Sequence, residues 1–139
     1  MLRKLTVIAI LIALLISAFP TTGVLAAGGT EKQLEKKWDQ LLTNFDRQMM
    51  GHQKAHKWVE AWLKNDTKAT AAEKTEVARH LATCNTALET AQGIVARHAG
   101  FNANGKVTNM NLAYKSIKEL SNALRAHVAS IKNITEHAK

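Results

Sequence analysis

The chain is predicted to be all-α: an antiparallel up-down-up bundle of three long helices after an N-terminal signal or anchor segment. Three observations carry this. The only proline is Pro20, so nothing after it breaks a helix. Apolar residues recur at steps of three and four, and strand-like alternation is absent. Alanine, leucine, lysine and glutamate, all good helix formers, are frequent.

The first segment reads as an address. Arg3 and Lys4 form a positive start, and Leu5 to Phe19 is a mostly apolar run of fifteen residues. Pro20 ends it, and Val24-Leu25-Ala26 offers small residues for a signal peptidase. The run is shorter than the roughly 20 residues that span a bilayer. Residues 1–26 are therefore expected to be a signal peptide, with an uncleaved membrane anchor as the alternative. No cysteine stands at the cleavage position, which argues against a lipoprotein. The expected destination is the periplasm or the exterior. Residues 27–139 form one helical bundle domain.

Removing Arg3 and Lys4 leaves 17 basic residues against 11 acidic ones, so the mature domain carries about +6 with neutral histidines. Such a charge suits an anionic surface or ordinary solubility. No motif for sequence-specific nucleic-acid binding is present. Cys84 is the single cysteine, so no internal disulfide can form.

The first helix is expected from Glu31 to about Lys64, with Thr30 as N-cap and Gln33 as its capping-box partner. Its stripe reads Leu34, Trp38, Leu41, Phe45, Met49, Val59 and Leu63, with His52 and His56 in the gap. Asn65 to Ala69 is a polar linker. Thr70-Ala71-Ala72-Glu73 is a second capping box and opens the second helix. Its stripe reads Val77, Leu81, Cys84, Leu88, Ala91 and Val95, with His80 and His98 at one margin, and Gly100 is its expected C′ stop. Asn104-Gly105 marks a turn. The third helix is expected from Thr108 or Asn109 onward, with a heptad seam of Ala113, Ile117, Leu120, Leu124, His127, Ile131, Ile134 and Ala138. Short connections between long helices imply antiparallel neighbours. Helices this long leave an apolar flank, which predicts a protein partner or a homodimer.

The candidate chemistry is a His/Cys cluster. His52 and His56 lie one turn apart, as do His80 and Cys84. If the first loop centres between residues 67 and 68, His52 faces Cys84 and His56 faces His80. If the second centres near residue 104, His80 faces His127. The five side chains His52, His56, His80, Cys84 and His127 thus fall at one level and predict a nitrogen- and sulfur-rich metal site. Imidazole with thiolate suits zinc or copper, and Met49 is a further candidate ligand that would favour copper(I). A b-type haem on two of the histidines is a remoter option. The competing reading is that the histidines satisfy core hydrogen bonds and Cys84 packs as a small apolar residue. His98 and His137, near helix ends, read as solvent or dipole partners.

An enzyme is not expected. No Ser-His-Asp order, paired acids or phosphate loop is present. A di-iron site on His52, His56 and Glu60 fails, because Glu60 lies about 80° from His52 around the helix and no facing helix offers a core carboxylate. A second surface is expected on the first helix. Trp58 and Trp62 flank a basic ridge that includes Lys36, Arg47 and Lys54. That combination suits an interaction or scaffold subunit of the cell envelope.

Phe45-Asp46-Arg47, Met49, His52 and Lys54-Ala55, followed by Leu81-Ala82-Thr83, Leu88-Glu89 and Ala91-Gln92, resemble one hairpin of a family of exported, ferritin-like four-helix proteins classed as a domain of unknown function. The resemblance spans roughly residues 45–92. Ala87 stands where the family usually carries a histidine, and the family's upstream hairpin has no counterpart. The resemblance implies an exported helical bundle and transfers no ligand set.

Overall fold

The computed structural model describes residues 29–138, so the leader expected over residues 1–26 lies outside it. Among the described residues there are three helices and no strand: α1 (Glu31–Asn65), α2 (Ala71–Arg97) and α3 (Met110–His137). None of these helices is long and apolar enough to cross a membrane.

Both capping boxes form. Thr30 accepts from the Gln33 amide while the Gln33 side chain accepts from the Thr30 amide, and Thr70 with Glu73 repeats the arrangement. Each satisfies two N–H groups that a helix start leaves unpaired. Asn109 caps α3 by accepting from the Leu112 amide at 3.0 Å.

The end of α2 differs from expectation. His98, not a glycine, takes the left-handed cap conformation with φ of 35°. Gly100 is needed two residues later for a different reason. Its φ is +89°, and a Cβ there would lie 2.1 Å from the Ala113 backbone nitrogen. The chain then folds back on itself. The Gly100 carbonyl accepts from the Thr108 amide at 2.8 Å, and Phe101 bridges Val107. Glu35 of α1 clamps this loop, accepting from the Val107 amide at 3.2 Å and pairing with Lys106 at 2.9 Å. Trp38 stacks on Phe101 with ring centroids 4.6 Å apart.

These contacts set the topology. Trp38, near the start of α1, meets the chain just past the end of α2, so α1 and α2 run antiparallel. His80, early in α2, stacks on His137 at the end of α3, so α2 and α3 run antiparallel too. The up-down-up order follows.

The seams alternate steps of four and three. In α3 the expected heptad seam is buried throughout. In α1 the buried residues are Leu34, Trp38, Leu41, Phe45, Gln48, Ala55 and Val59, and His52 falls on the same rhythm, half-buried. From Phe45 a step of four would reach Met49. The helix takes three and buries Gln48 instead, because a seam facing its neighbours follows a 3.5-residue period. Met49 sits at the edge of the core. In α2, His80 and Ile94 are buried, and Val95 packs at the margin.

The core is thereby divided. One apolar cluster holds Leu34 to Phe45, Ala91, Ile94 and Ala113 to Leu124. The other holds Ala55, Val59, Val77, Leu81, Ile131 and Ile134. Burying each large side chain contributes roughly 1.5–3 kcal/mol. Gln48, His52 and His127 lie between the clusters, against Cys84, and form a polar layer.

Candidate metal centre

Each helix supplies one donor to this layer. His52 comes from α1, Cys84 from α2 and His127 from α3, each at a seam position that aims its side chain inward. Cys84 and His127 are fully buried, and His52 is half-buried. His127 Nε2 lies 3.2 Å from His52 Nδ1, and Cys84 Sγ lies 3.7 Å from His52 Nδ1. All three donor atoms fall within 4.8 Å of one another. Such a group can hold a metal ion.

The spacing fits ion coordination. With Zn–N near 2.05 Å and Zn–S near 2.3 Å, tetrahedral angles place two nitrogens about 3.3 Å apart and nitrogen and sulfur about 3.6 Å apart. The two edges at His52 match those lengths to within about 0.2 Å.

Gln48 completes the layer. It is fully buried, and its Oε1 lies 2.8 Å from His127 Nδ1. An amide oxygen only accepts, so His127 carries its proton on Nδ1 and its Nε2 lone pair points at His52. Gln48 Nε2 is buried with no hydrogen-bond partner. Asn85, beside His52 in α2, favours the protonated His52 ring, but its Oδ1 is buried without a well-formed hydrogen bond. Unpaired buried polar atoms cost about 1–3 kcal/mol each. As an apolar packing solution, this layer would be a poor one.

Burial sets the protonation states. It pushes the Cys84 thiol up to about 12. Burial, reinforced by His52, pushes His127 down to about 3. Burial first, then His56, lowers His52. At neutral pH all three groups are neutral, so each imidazole carries one ring proton and the thiol holds its own. Cys84 also lies 3.8 Å from the His127 carbonyl oxygen, toward which the thiol donates.

The other expected ligands stand elsewhere. His56 is half-buried at the surface and pairs with Glu60 at 3.4 Å. His80 is buried one turn before Cys84, stacked on His137 and 3.8 Å from Glu76. The level assignment that paired His80 with His127 used a loop centred on residue 104. The chain instead folds back between Gly100 and Thr108, and the structure sets Cys84 against the His127 carbonyl and His80 against His137. Met49 lines a groove of about 480 Å3 beside His52 and His56, which gives solvent a way to the layer. Gln48 was missed because polarity excluded it from the stripe, although strict four-three stepping selects it.

On the far side of α1, Trp58 and Trp62 are part-buried against the second apolar cluster. Lys36, Arg47 and Lys54 are exposed. The indoles lie closer to the core than their angular positions imply, packed against the cluster that holds Val59 and Ile134. No family model, curated protein or solved structure matches this chain.

Proposed function

We propose that this protein binds one zinc(II) or copper(I) ion through His52 Nδ1, Cys84 Sγ and His127 Nε2, as an exported, non-enzymatic carrier or sensor. The observation that carries the reading is the Gln48–His127 hydrogen bond at 2.8 Å. It fixes the tautomer and aims the ring, as acceptors behind metal-bound histidines do. The donor set of two imidazoles and a thiol suits a borderline or soft ion. The leader-like sequence over residues 1–26 and the resemblance to exported bundles support export. The absence of an acid–base pair or nucleophile motif supports a binding role.

Binding replaces two protons at the site. Cys84 releases its thiol proton. In the metal-free layer His52 Nδ1–H donates to His127 Nε2, so His52 moves that proton to Nε2, which leaves Nδ1 free for the ion. The net release is one proton per ion. Cobalt(II) titration of tag-free protein tests the ligand set. A thiolate charge-transfer band that saturates at one equivalent and vanishes in Cys84→Ser supports it. Saturation without a thiolate band, or no uptake, would contradict it.

A further inference from the structure

A second group of donors lies one turn along α2, outside the polar layer. Glu76 and His80 are four residues apart on α2, and His137 is the last residue of α3. One donor atom from each lies within 4.8 Å of the other two. The His80 and His137 rings are nearly parallel, 20° apart, with centroids separated by 5.6 Å.

A cation already sits among these donors. The Arg79 guanidinium lies 2.7 Å from Glu76 Oε2 and 3.2 Å from His80 Nε2. Arginine can only donate, so His80 Nε2 is the acceptor and its lone pair converges with the carboxylate on one positive charge. His80 is buried, whereas Glu76 is half-exposed and His137 is exposed. The site therefore has a fixed inner nitrogen and an open outer side.

We propose that Glu76, His80 and His137 form a second binding site for a borderline divalent ion of the zinc(II) class, and that the Arg79 guanidinium occupies the ion's place when the site is metal-free. Two imidazoles and a carboxylate are a common zinc donor set that leaves room for water. The groups stand in the states that binding needs. Arg79 holds the Glu76 carboxyl below its usual range, and burial lowers His80. Arg79 is well exposed, so it can swing into solvent at little cost, since exposed ion pairs are weak. The site shares no ligand with the His52–Cys84–His127 group and does not depend on it.

Zinc titration of the full, tag-free chain by calorimetry tests the proposal. In Cys84→Ala, which disables the inner group, one zinc equivalent should remain. His137→Ala, an exposed change at a helix end, should remove that equivalent and leave any cysteine-dependent zinc in place. Arg79→Ala should tighten the outer site by up to about fivefold, because the weakly held competing cation is gone. If Cys84→Ala binds no zinc, or if His137→Ala changes neither stoichiometry nor affinity, the proposal fails. Zinc that Cys84→Ala retains and His137→Ala loses supports the outer site even if the inner one binds nothing.

Discussion

Gln48 Oε1 and His127 Nδ1 lie 2.8 Å apart across the fully buried interface of α1 and α3. This contact decides which nitrogen of His127 is free. It also leaves Gln48 Nε2 without a partner. The two consequences pull in opposite directions on function and stability, which makes Gln48 an informative residue to change.

Gln48→Leu should weaken metal binding by roughly 10–100-fold, the usual cost of losing an acceptor behind a ligating histidine. The metal-free protein should lose no more than about 1–2 kcal/mol, because the orphaned amide disappears with the volume kept while the His127 Nδ1–H loses its acceptor. Competition against a chelator and a denaturant titration measure the two effects. A large loss of metal-free stability with unchanged affinity would assign Gln48 a purely structural role.

Stability of the metal-free protein should depend on pH at both ends. His127 has its folded value near 3 against 6.5 for the ordinary ring. Between those values the unfolded chain takes up a proton that the folded chain does not, so stability falls as pH drops from about 6.5 towards 3. Cys84 has its folded value near 12 against an ordinary 9.0. Between those values only the unfolded chain ionises, so stability falls again as pH rises above about 9. His127→Leu should flatten the acid limb, and Cys84→Ala the alkaline one. Urea midpoints across that range give the answer, and an unchanged acid limb in His127→Leu would count against a buried neutral ring.

Metal should fasten α1 to the α2–α3 pair, because one ligand comes from each helix. At a free concentration a hundred times the dissociation constant, an ion that binds only the folded state adds about 2.7 kcal/mol. Melting with and without chelator should show an upward shift that shrinks in Cys84→Ala. Affinity should also rise about tenfold per pH unit between pH 7 and 9, because one thiol proton leaves on binding. A pH-independent affinity would mean that Cys84 is not a ligand.

Gly100→Ala should destabilise the protein by a few kcal/mol. A Cβ there meets the Ala113 backbone at 2.1 Å, and the φ of +89° disfavours any side chain. The fold-back loop sets the level at which Cys84 meets His127. The variant should therefore also weaken metal binding, although the loop lies at the opposite end of α3 from His137. Thermal melts and zinc titration of the variant check both effects.

Much of the fold was legible in the sequence. Capping boxes at Thr30 and Thr70 and the alternating seam of α3 mark helices whose local preference and burial agree. The failures have physical causes. Choosing Met49 over Gln48 trusted apolarity over seam geometry, and so hid the residue that orients His127. Placing His80 level with His127 assumed an evenly spanned loop. The hydrogen bonds of the Gly100 carbonyl fold that loop back, and no residue count reveals them. His52, Cys84 and His127 were legible as candidates because each falls on a seam. His56 was grouped with them by its one-turn spacing from His52, yet it lies off the seam and pairs with Glu60.

In the proposed site His52, Cys84 and His127 hold one ion together. Copper(I) titration of tag-free protein against a colorimetric copper(I) chelator tests it most directly, because the thiolate makes this group the preferred site for a soft ion. The wild type and His56→Ala should each bind one copper tightly. His52→Ala, Cys84→Ala and His127→Ala should each weaken it by at least a hundredfold. Equal binding in all five proteins, or a loss in His56→Ala as large as in the other three variants, would contradict it.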